Sequence, residues 1–255
     1  DDPVEAYKSL FLDRPLRLAQ RVQRSYALTS YRVRANEAVA AARQIWLANN
    51  ESVPKWSRAV YMPNVSPEGP PLAYRTPETS RFIFVANMEY GANIDALNYY
   101  CDHIYPILRK RAADTSLLVC GWHSPELLQN ERYRDCNVSF AGYVSDIRQA
   151  YAECCAAVAP IVNGSGTSIK VMEAMSLGVP CISTPLGFRG YQSEIAGELP
   201  QVVGADPRDF ADKMLSLRGN VETNLSIGRA CTDFARRHWS TTALAARVAQ
   251  ALEDL

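Results

Sequence analysis

From residue 81 onward, short apolar runs alternate with stretches whose apolar residues recur every three or four positions. "RFIFVANM" (81–88), "SLLVCG" (116–121), "VSFAG" (138–142), "CAAVAPI" (155–161) and "CISTP" (181–185) read as buried strands. Between them the pattern predicts helices over 93–112, with a kink at Pro106, over "SPELLQNER" (124–132), over "SDIRQAYAEC" (145–154) and over residues up to about Leu177. "PQVVG" (200–204) precedes a helix around "DPRDFADKMLSL" (206–217), and residues 225–254 read as two helices separated near His238-Trp239-Ser240. Strand and helix in strict alternation imply repeated βαβ units. The fold class expected is α/β, a Rossmann-like doubly wound parallel sheet with both faces covered.

The first third has a different texture. Residues 5–27 read as helical, with Leu10, Leu16, Leu18 and Val22 among many arginines. "SYRVRANEAVAAARQIWL" (30–47) predicts a short strand and then a helix from near Asn36, and "RAVYMPN" (58–64) another short strand. Four prolines and a glycine within 66–80 mark a linker. The expected organisation is therefore a mostly helical piece over 1–62, a linker over 63–80, a Rossmann-like domain over 81–224 and C-terminal helices over 225–255.

Composition narrows the function. Lysine plus arginine equal aspartate plus glutamate at 27 each, so no net field selects nucleic acid, and any anion site must be made by a few placed groups. Seven cysteines without metal-ligand spacing, and three scattered histidines, indicate buried reduced thiols and no metal site. That favours a cytoplasmic chain. His103, His123 and His238 each stand singly and read as structural or surface residues.

The stretch with chemistry is "NGSGTSIKVMEAMSLGVPCIST" (163–184). Gly164 and Gly166 would let backbone approach a ligand, and Thr167 or Ser168 would cap the following helix. Its free N–H groups would then face an anion. Lys170 in the first turn opposes the helix macrodipole, a conflict that a bound phosphate would reverse. Glu173 lies one turn on, suited to sugar hydroxyls. The plainer alternative is a turn followed by a Lys170–Glu173 surface ion pair. The spacing fits neither a Walker loop nor the dinucleotide fingerprint.

Three segments, "FVANMEYGANIDALNYY" (84–100), "VSFAGYVSDIRQAYAECCAAVAPI" (138–161) and "GSGTSIKVMEAMSLGVPCIST" (164–184), together resemble the donor-binding half of GT-B glycosyltransferases of the retaining family 4 type. Their order and spacing hold over about residues 60–200. The resemblance implies a hexosyltransferase-like enzyme that takes a nucleotide-diphosphate sugar as co-substrate, retains anomeric configuration and needs no cofactor or metal. Glu173 matches the glutamate that holds the nucleotide ribose. Gly164, Ser165, Gly166, Thr167 and Ser168 match the backbone that meets the diphosphate and donor sugar. Val144 falls where main chain meets the base, and Asp146 follows in the same turn, where it also reads as a helix-start charge. Asn87 and Ala92 stand where relatives carry a diphosphate-clamping arginine and lysine, and Ser165 where many carry a second glutamate. Lys170, with Arg189 as a weaker candidate, would substitute for the lost cations.

The resemblance also makes residues 1–62 the remnant of an acceptor-side domain. This chain alone is then expected to be inactive, with no catalytic residue assignable in it. The acceptor implied is a carbohydrate or a lipid-linked glycan of the surface-polysaccharide type, at the inner face of a membrane. The arginine-rich stretch 14–34 fits peripheral association there, although a solvated helix face is the commoner meaning of such a pattern. The alternatives are a non-catalytic nucleotide-sugar-binding subunit, favoured by Ser165, and an NAD-dependent enzyme, disfavoured by the missing fingerprint.

Overall fold

The computed structural model describes residues 29–30, 33–48, 53–54, 56–66, 69–73, 75, 78–164 and 166–254. The expected helix over 5–27 and the position of Ser165 lie outside these residues. In chain order the elements are β1 (Ile45–Leu47), β2 (Ala59–Tyr61), β3 (Arg81–Val85), α1 (Gly91–Tyr99), α2 (Tyr105–Arg111), β4 (Ser116–Cys120), α3 (Pro125–Leu128) and α4 (Glu131–Asp135). There follow β5 (Val138–Gly142), α5 (Ile147–Ala152), β6 (Ala156–Ala159), α6 (Ile169–Ser176), β7 (Cys181–Ser183), α7 (Gln192–Glu198), α8 (Pro207–Arg218), α9 (Val221–Trp239) and α10 (Thr241–Glu253).

Five strands form one parallel sheet in the order β5-β4-β3-β6-β7. Val203 adds a single parallel bridge to Ser183 beyond β7. The chain lays down β3, β4 and β5 in one direction, then returns to place β6 on the other side of β3. Right-handed crossovers send the helices of the two halves to opposite faces. Accordingly α1 and α2 lie with α8 on one face, and α6 lies with α9 on the other. At the reversal, β3 and β6 pair through Phe82 with Ala156 and Ile83 with Ala157. The loops leaving their carboxyl ends flank the crevice where ligands bind in such sheets.

The inner strands are apolar on both faces because both are covered, whereas the edge strand β5 exposes Ser139 and Ala141. Phe82, Ile83, Phe84, Leu117, Val119, Ala156, Val158 and Ile182 are all buried. The helices start where short polar side chains accept free N–H groups. Asn130 accepts from Arg132, Asp206 from Arg208 and Asp209, Asn220 from Thr223 and Ser240 from Ala243. The final pair of helices divides at Ser240, as the pattern implied. Trp239 is buried there against Tyr191 and Phe234. All seven cysteines are free and buried, and burial pushes Cys154, Cys155 and Cys231 up to about 12, so they stay protonated. No helix among the described residues is long and apolar enough to cross a membrane.

Local expectations fail in instructive places. The helix expected over 93–112 is interrupted by a π-helical turn over Tyr100–Ile104. Pro106 has no N–H to donate and its ring crowds the preceding turn, so the slack is taken up there without ending the helix. Where a short strand was expected near 30–35, the described residues 29–30 and 33–41 are helical. Ile45–Leu47, expected to continue that helix, is instead a strand paired parallel with Ala59–Tyr61. Pairing across an intervening loop favours the β-branched and aromatic side chains of "IWL" over their place at the end of an alanine-rich helix.

The proline-rich stretch is tied down at several points. Ser66 N–H bonds the Trp239 carbonyl and Leu72 N–H the Leu177 carbonyl. Arg75 donates to the carbonyls of Gly178 (2.8 Å) and Cys155 (2.7 Å) and to Asn224 Oδ1 (3.1 Å). Asn224 in turn donates to the same Cys155 carbonyl. At this junction a Cβ on Gly228 would lie 2.3 Å from the Gly178 carbonyl oxygen, so α9 can approach α6 only with glycine there. Arg75→Ala should strand these acceptors and lower stability by about 3 kcal/mol, read by urea unfolding. An unchanged midpoint would show that the clamp carries no stability.

Candidate functional site

Two loops and two helix starts meet at the strand reversal. The loop after β3 runs through Asn87 and Tyr90 into α1, and the loop after β6 runs through Asn163 and Gly164 into α6. Neither α1 nor α6 has an acidic residue in its first turn, and neither receives a side-chain cap. The expected caps are diverted. Thr167 Oγ1 accepts from Asn64 of the N-terminal segment, and Ser168 Oγ is buried with no hydrogen-bond partner. Asn93 N–H and Val171 N–H bond back to the Tyr90 and Ser168 carbonyls, so it is the two N–H groups ahead of each, at the very start of the helix, that are left to the crevice.

Lys170 reaches from α6 across the carboxyl edge of the sheet to α1. Its Nζ donates to Asn93 Oδ1 at 2.7 Å and stands 5.2 Å from the centre of the Phe84 ring. Burial lowers its ammonium to about 8, because desolvation penalises the charged form. Among the described residues no carboxylate pairs with it. The surface ion pair with Glu173 is therefore not formed. Glu173 turns instead to Tyr151 of α5, whose buried hydroxyl donates to Oε2 at 3.1 Å. Burial raises the Glu173 carboxyl, and the Tyr151 donation partly offsets that rise.

The glycine loop is held in shape from several sides. Gly164 has φ +110°, and a Cβ there would come 3.1 Å from Ala92 Cβ and 3.2 Å from Tyr90 Oη, so the loop rests directly on the start of α1. Arg189 donates to the Gly164 carbonyl, Asn163 to Asp95, and Tyr191 Oη to the Ser168 carbonyl at 3.3 Å. Gly166 also has a positive φ. Asn87 Oδ1 accepts from Glu89 N–H, while its carbonyl accepts from Asn93 Nδ2 at 2.7 Å.

The structure brings Asn87, Gly164, Thr167, Ser168, Lys170, Glu173 and Arg189 around this crevice. Val144 and Asp146 make no hydrogen bond or ion pair with that group among the described residues. They lie on the same sheet edge beyond β5, two strands from β3 and so about 10 Å away by strand spacing. Asp146 caps α5 by accepting from Gln149 N–H. The sequence pattern does not single out Asn93 and Tyr151, because each looks like an ordinary helix residue until its partner from another element is present. Two aromatic side chains on the same edge were also passed over. Trp122 is 51% exposed and Tyr143 84% exposed, flanking the Gly121 N–H to Gly142 carbonyl bond at the ends of β4 and β5. Of the histidines, His238 stands against Glu198 and His103 against the Tyr99 ring, while His123, next to Trp122 on the sheet edge, packs against Phe140.

Comparison with known proteins fits this geometry. The family model for glycosyl transferases group 1 matches residues 79–220. A protein of Klebsiella pneumoniae described as an uncharacterized 44.6 kDa protein in the cps region is 21% identical over 250 residues, covering 94% of this chain and 64% of the relative. A crystal structure of Anabaena HepE with UDP and glucose superposes with a TM-score of 0.68 at 13% identity, over 89% of this chain and 67% of HepE. A structure of S. aureus TarM, with UDP among its ligands, gives a TM-score of 0.66 at 14% identity, over 82% of this chain and 43% of TarM. The chain thus spans less than two thirds of the Klebsiella relative and less than half of TarM, and its sheet corresponds to the C-terminal half of a GT-B fold. With more than half its length matched by the family model, the chain belongs to the group 1 glycosyl transferases.

Proposed function

We propose that this chain supplies the donor site of a glycosyltransferase that moves a sugar from a nucleotide-diphosphate sugar to a carbohydrate or lipid-linked acceptor. The observation that carries the reading is the Lys170 ammonium, largely buried between two helix starts with no carboxylate to compensate it. A diphosphate there would accept from the ammonium and from the first-turn N–H groups, and would restore the solvation that burial removed. As the glycosidic bond breaks, negative charge grows on the diphosphate, so the same groups would stabilise the leaving group. Glu173, with Oε1 unclaimed by Tyr151, would accept ribose hydroxyls. The turn at Val144, beside Tyr143, lies at a distance along the sheet edge that suits a base. UDP in the HepE and TarM structures supports a uridine donor, and the cps-region relative supports surface polysaccharide as the product class.

A non-catalytic binding module is the second reading, favoured by serine at position 165. Turnover separates the two: sugar transfer by the full-length protein, lost in Glu173→Ala, supports the enzyme, whereas binding without transfer across a broad acceptor panel supports the module.

Thermal shift with UDP, GDP, ADP and NAD should single out one nucleoside diphosphate, since only a ligand of the native state raises stability. Lys170→Ala should weaken that nucleotide about tenfold or more, and equal affinity in the variant would remove the diphosphate role.

Binding should also depend on pH. Burial lowers Lys170 to about 8 in the free protein and a diphosphate selects the charged form, so affinity should fall as the pH rises above about 8. Lys170→Arg keeps its charge and should flatten that alkaline fall in calorimetric titrations.

Tyr151→Phe removes the hydroxyl that fixes Glu173 while keeping the ring. It should cut the preference for UDP over 2′-deoxy-UDP by about threefold to tenfold, measured by competition binding. An undiminished preference would mean that Tyr151 does not orient the carboxylate.

A further inference from the structure

Asn93 is 5% exposed, on the first turn of α1, and both ends of its amide are engaged. Nδ2 donates to the Asn87 carbonyl at 2.7 Å, and Oδ1 accepts from Lys170 Nζ at 2.7 Å. The first bond fixes which way the amide faces, because its donor end is committed to backbone. The acceptor end must then point at the ammonium. α1 and α6 come from opposite faces of the sheet, so this bond spans the crevice at the strand reversal.

The identity of the acceptor matters more than its presence. A buried ammonium ordinarily finds a carboxylate, since an unpaired buried charge is costly. Among the described residues the groups around it are neutral: the Asn93 amide from α1, the Phe84 ring from β3 and the Cys181 thiol from β7, which burial keeps protonated. The nearby carboxylates are turned elsewhere. Glu173 of the same helix is bonded to Tyr151, and Asp95 of α1 accepts from Asn163. An amide directs the ammonium without cancelling it, and the full charge is left for a ligand.

We propose that Asn93 is the positioning residue of the anion site: it holds the Lys170 ammonium in the crevice through a neutral acceptor, so that the charge stays available to a diphosphate. This rests on the nucleotide-diphosphate reading for its ligand, but the geometry between Asn93 and Lys170 stands apart from it. A carboxylate at position 93 would form the ion pair that the site avoids. The free protein would then carry a more comfortable lysine and a poorer anion site.

The test uses Asn93→Asp and Asn93→Ala in the whole chain, with UDP, GDP and ADP each compared with its nucleoside, and an NMR titration of Lys170 in lysine labelled at Cε. Asn93→Asp should weaken the bound nucleoside diphosphate about tenfold or more, leave the nucleoside unchanged and move the Lys170 titration up by about one pH unit or more. Asn93→Ala, which cannot introduce a charge and covers the case in which the aspartate variant fails to fold, should weaken the diphosphate about threefold or more and spare the nucleoside. Unchanged diphosphate affinity in folded variants overturns the proposal, as does equal loss for diphosphate and nucleoside, which would mark a merely structural asparagine. If the unsubstituted chain binds none of the three diphosphates, the functional reading falls. The titration then decides alone: a shift in Asn93→Asp upholds the positioning of Lys170, and no shift overturns it.

Discussion

A lysine ammonium drawn into the edge of a parallel sheet, at the point where the strand order reverses, is the constraint around which the crevice is arranged. Desolvation acts against its charge, and the described residues supply an amide and an aromatic face but no counter-charge. Such an arrangement is costly in the empty protein and becomes favourable when an anion arrives. Neither helix start has a side-chain cap: at α6 the Thr167 hydroxyl is taken by Asn64 and the Ser168 hydroxyl is left without a partner, and α1 has Tyr90 at its cap position. Local strain in hydrogen bonding and electrostatics is thereby concentrated in one crevice.

The rest of the fold keeps that crevice narrow. β6 is built from alanines and one valine, so the helices beside the strand reversal can come close. Gly164 lets the loop after β6 lie on Ala92 and Tyr90, and Gly228 lets α9 press on the end of α6. Arg75 closes the far side by binding carbonyls at the end of α6 and the start of β6. The helix that carries Lys170 and Glu173 is thus fixed at both ends by contacts from distant parts of the chain. Precise placement of that helix is what a site of hydrogen bonds and one charge requires.

Much of this was legible from residues alone. The central sheet strands were recognisable because strands buried on both faces are short apolar runs, as in "RFIFV" and "AAVA". The importance of Lys170 followed from a local conflict between a cation and a helix start. Less legible were features that need a partner from elsewhere. The strand at Ile45–Leu47 exists through its pairing with Ala59–Tyr61, and nothing within "IWL" announces that partner. Thr167 and Ser168 looked like caps because capping is local, yet Asn64, over a hundred positions away, takes the Thr167 hydroxyl. Asn93 and Tyr151 carried no signal at all, since an asparagine and a tyrosine on predicted helices are ordinary.

The sequence by itself determined the alternation of strand and helix, the doubly wound class and the glycine-rich helix start with its misplaced cation, because these follow from periodicity and from backbone chemistry within a few residues. Tertiary structure alone decided what the cation and the carboxylate do. It turned Lys170 away from Glu173 toward Asn93, and Glu173 toward Tyr151, separating two charges that helix spacing would have let meet. The reason is physical: one turn of helix brings two side chains within reach of each other, but burial, and the partners offered by elements from both faces of the sheet, settle which bond is made.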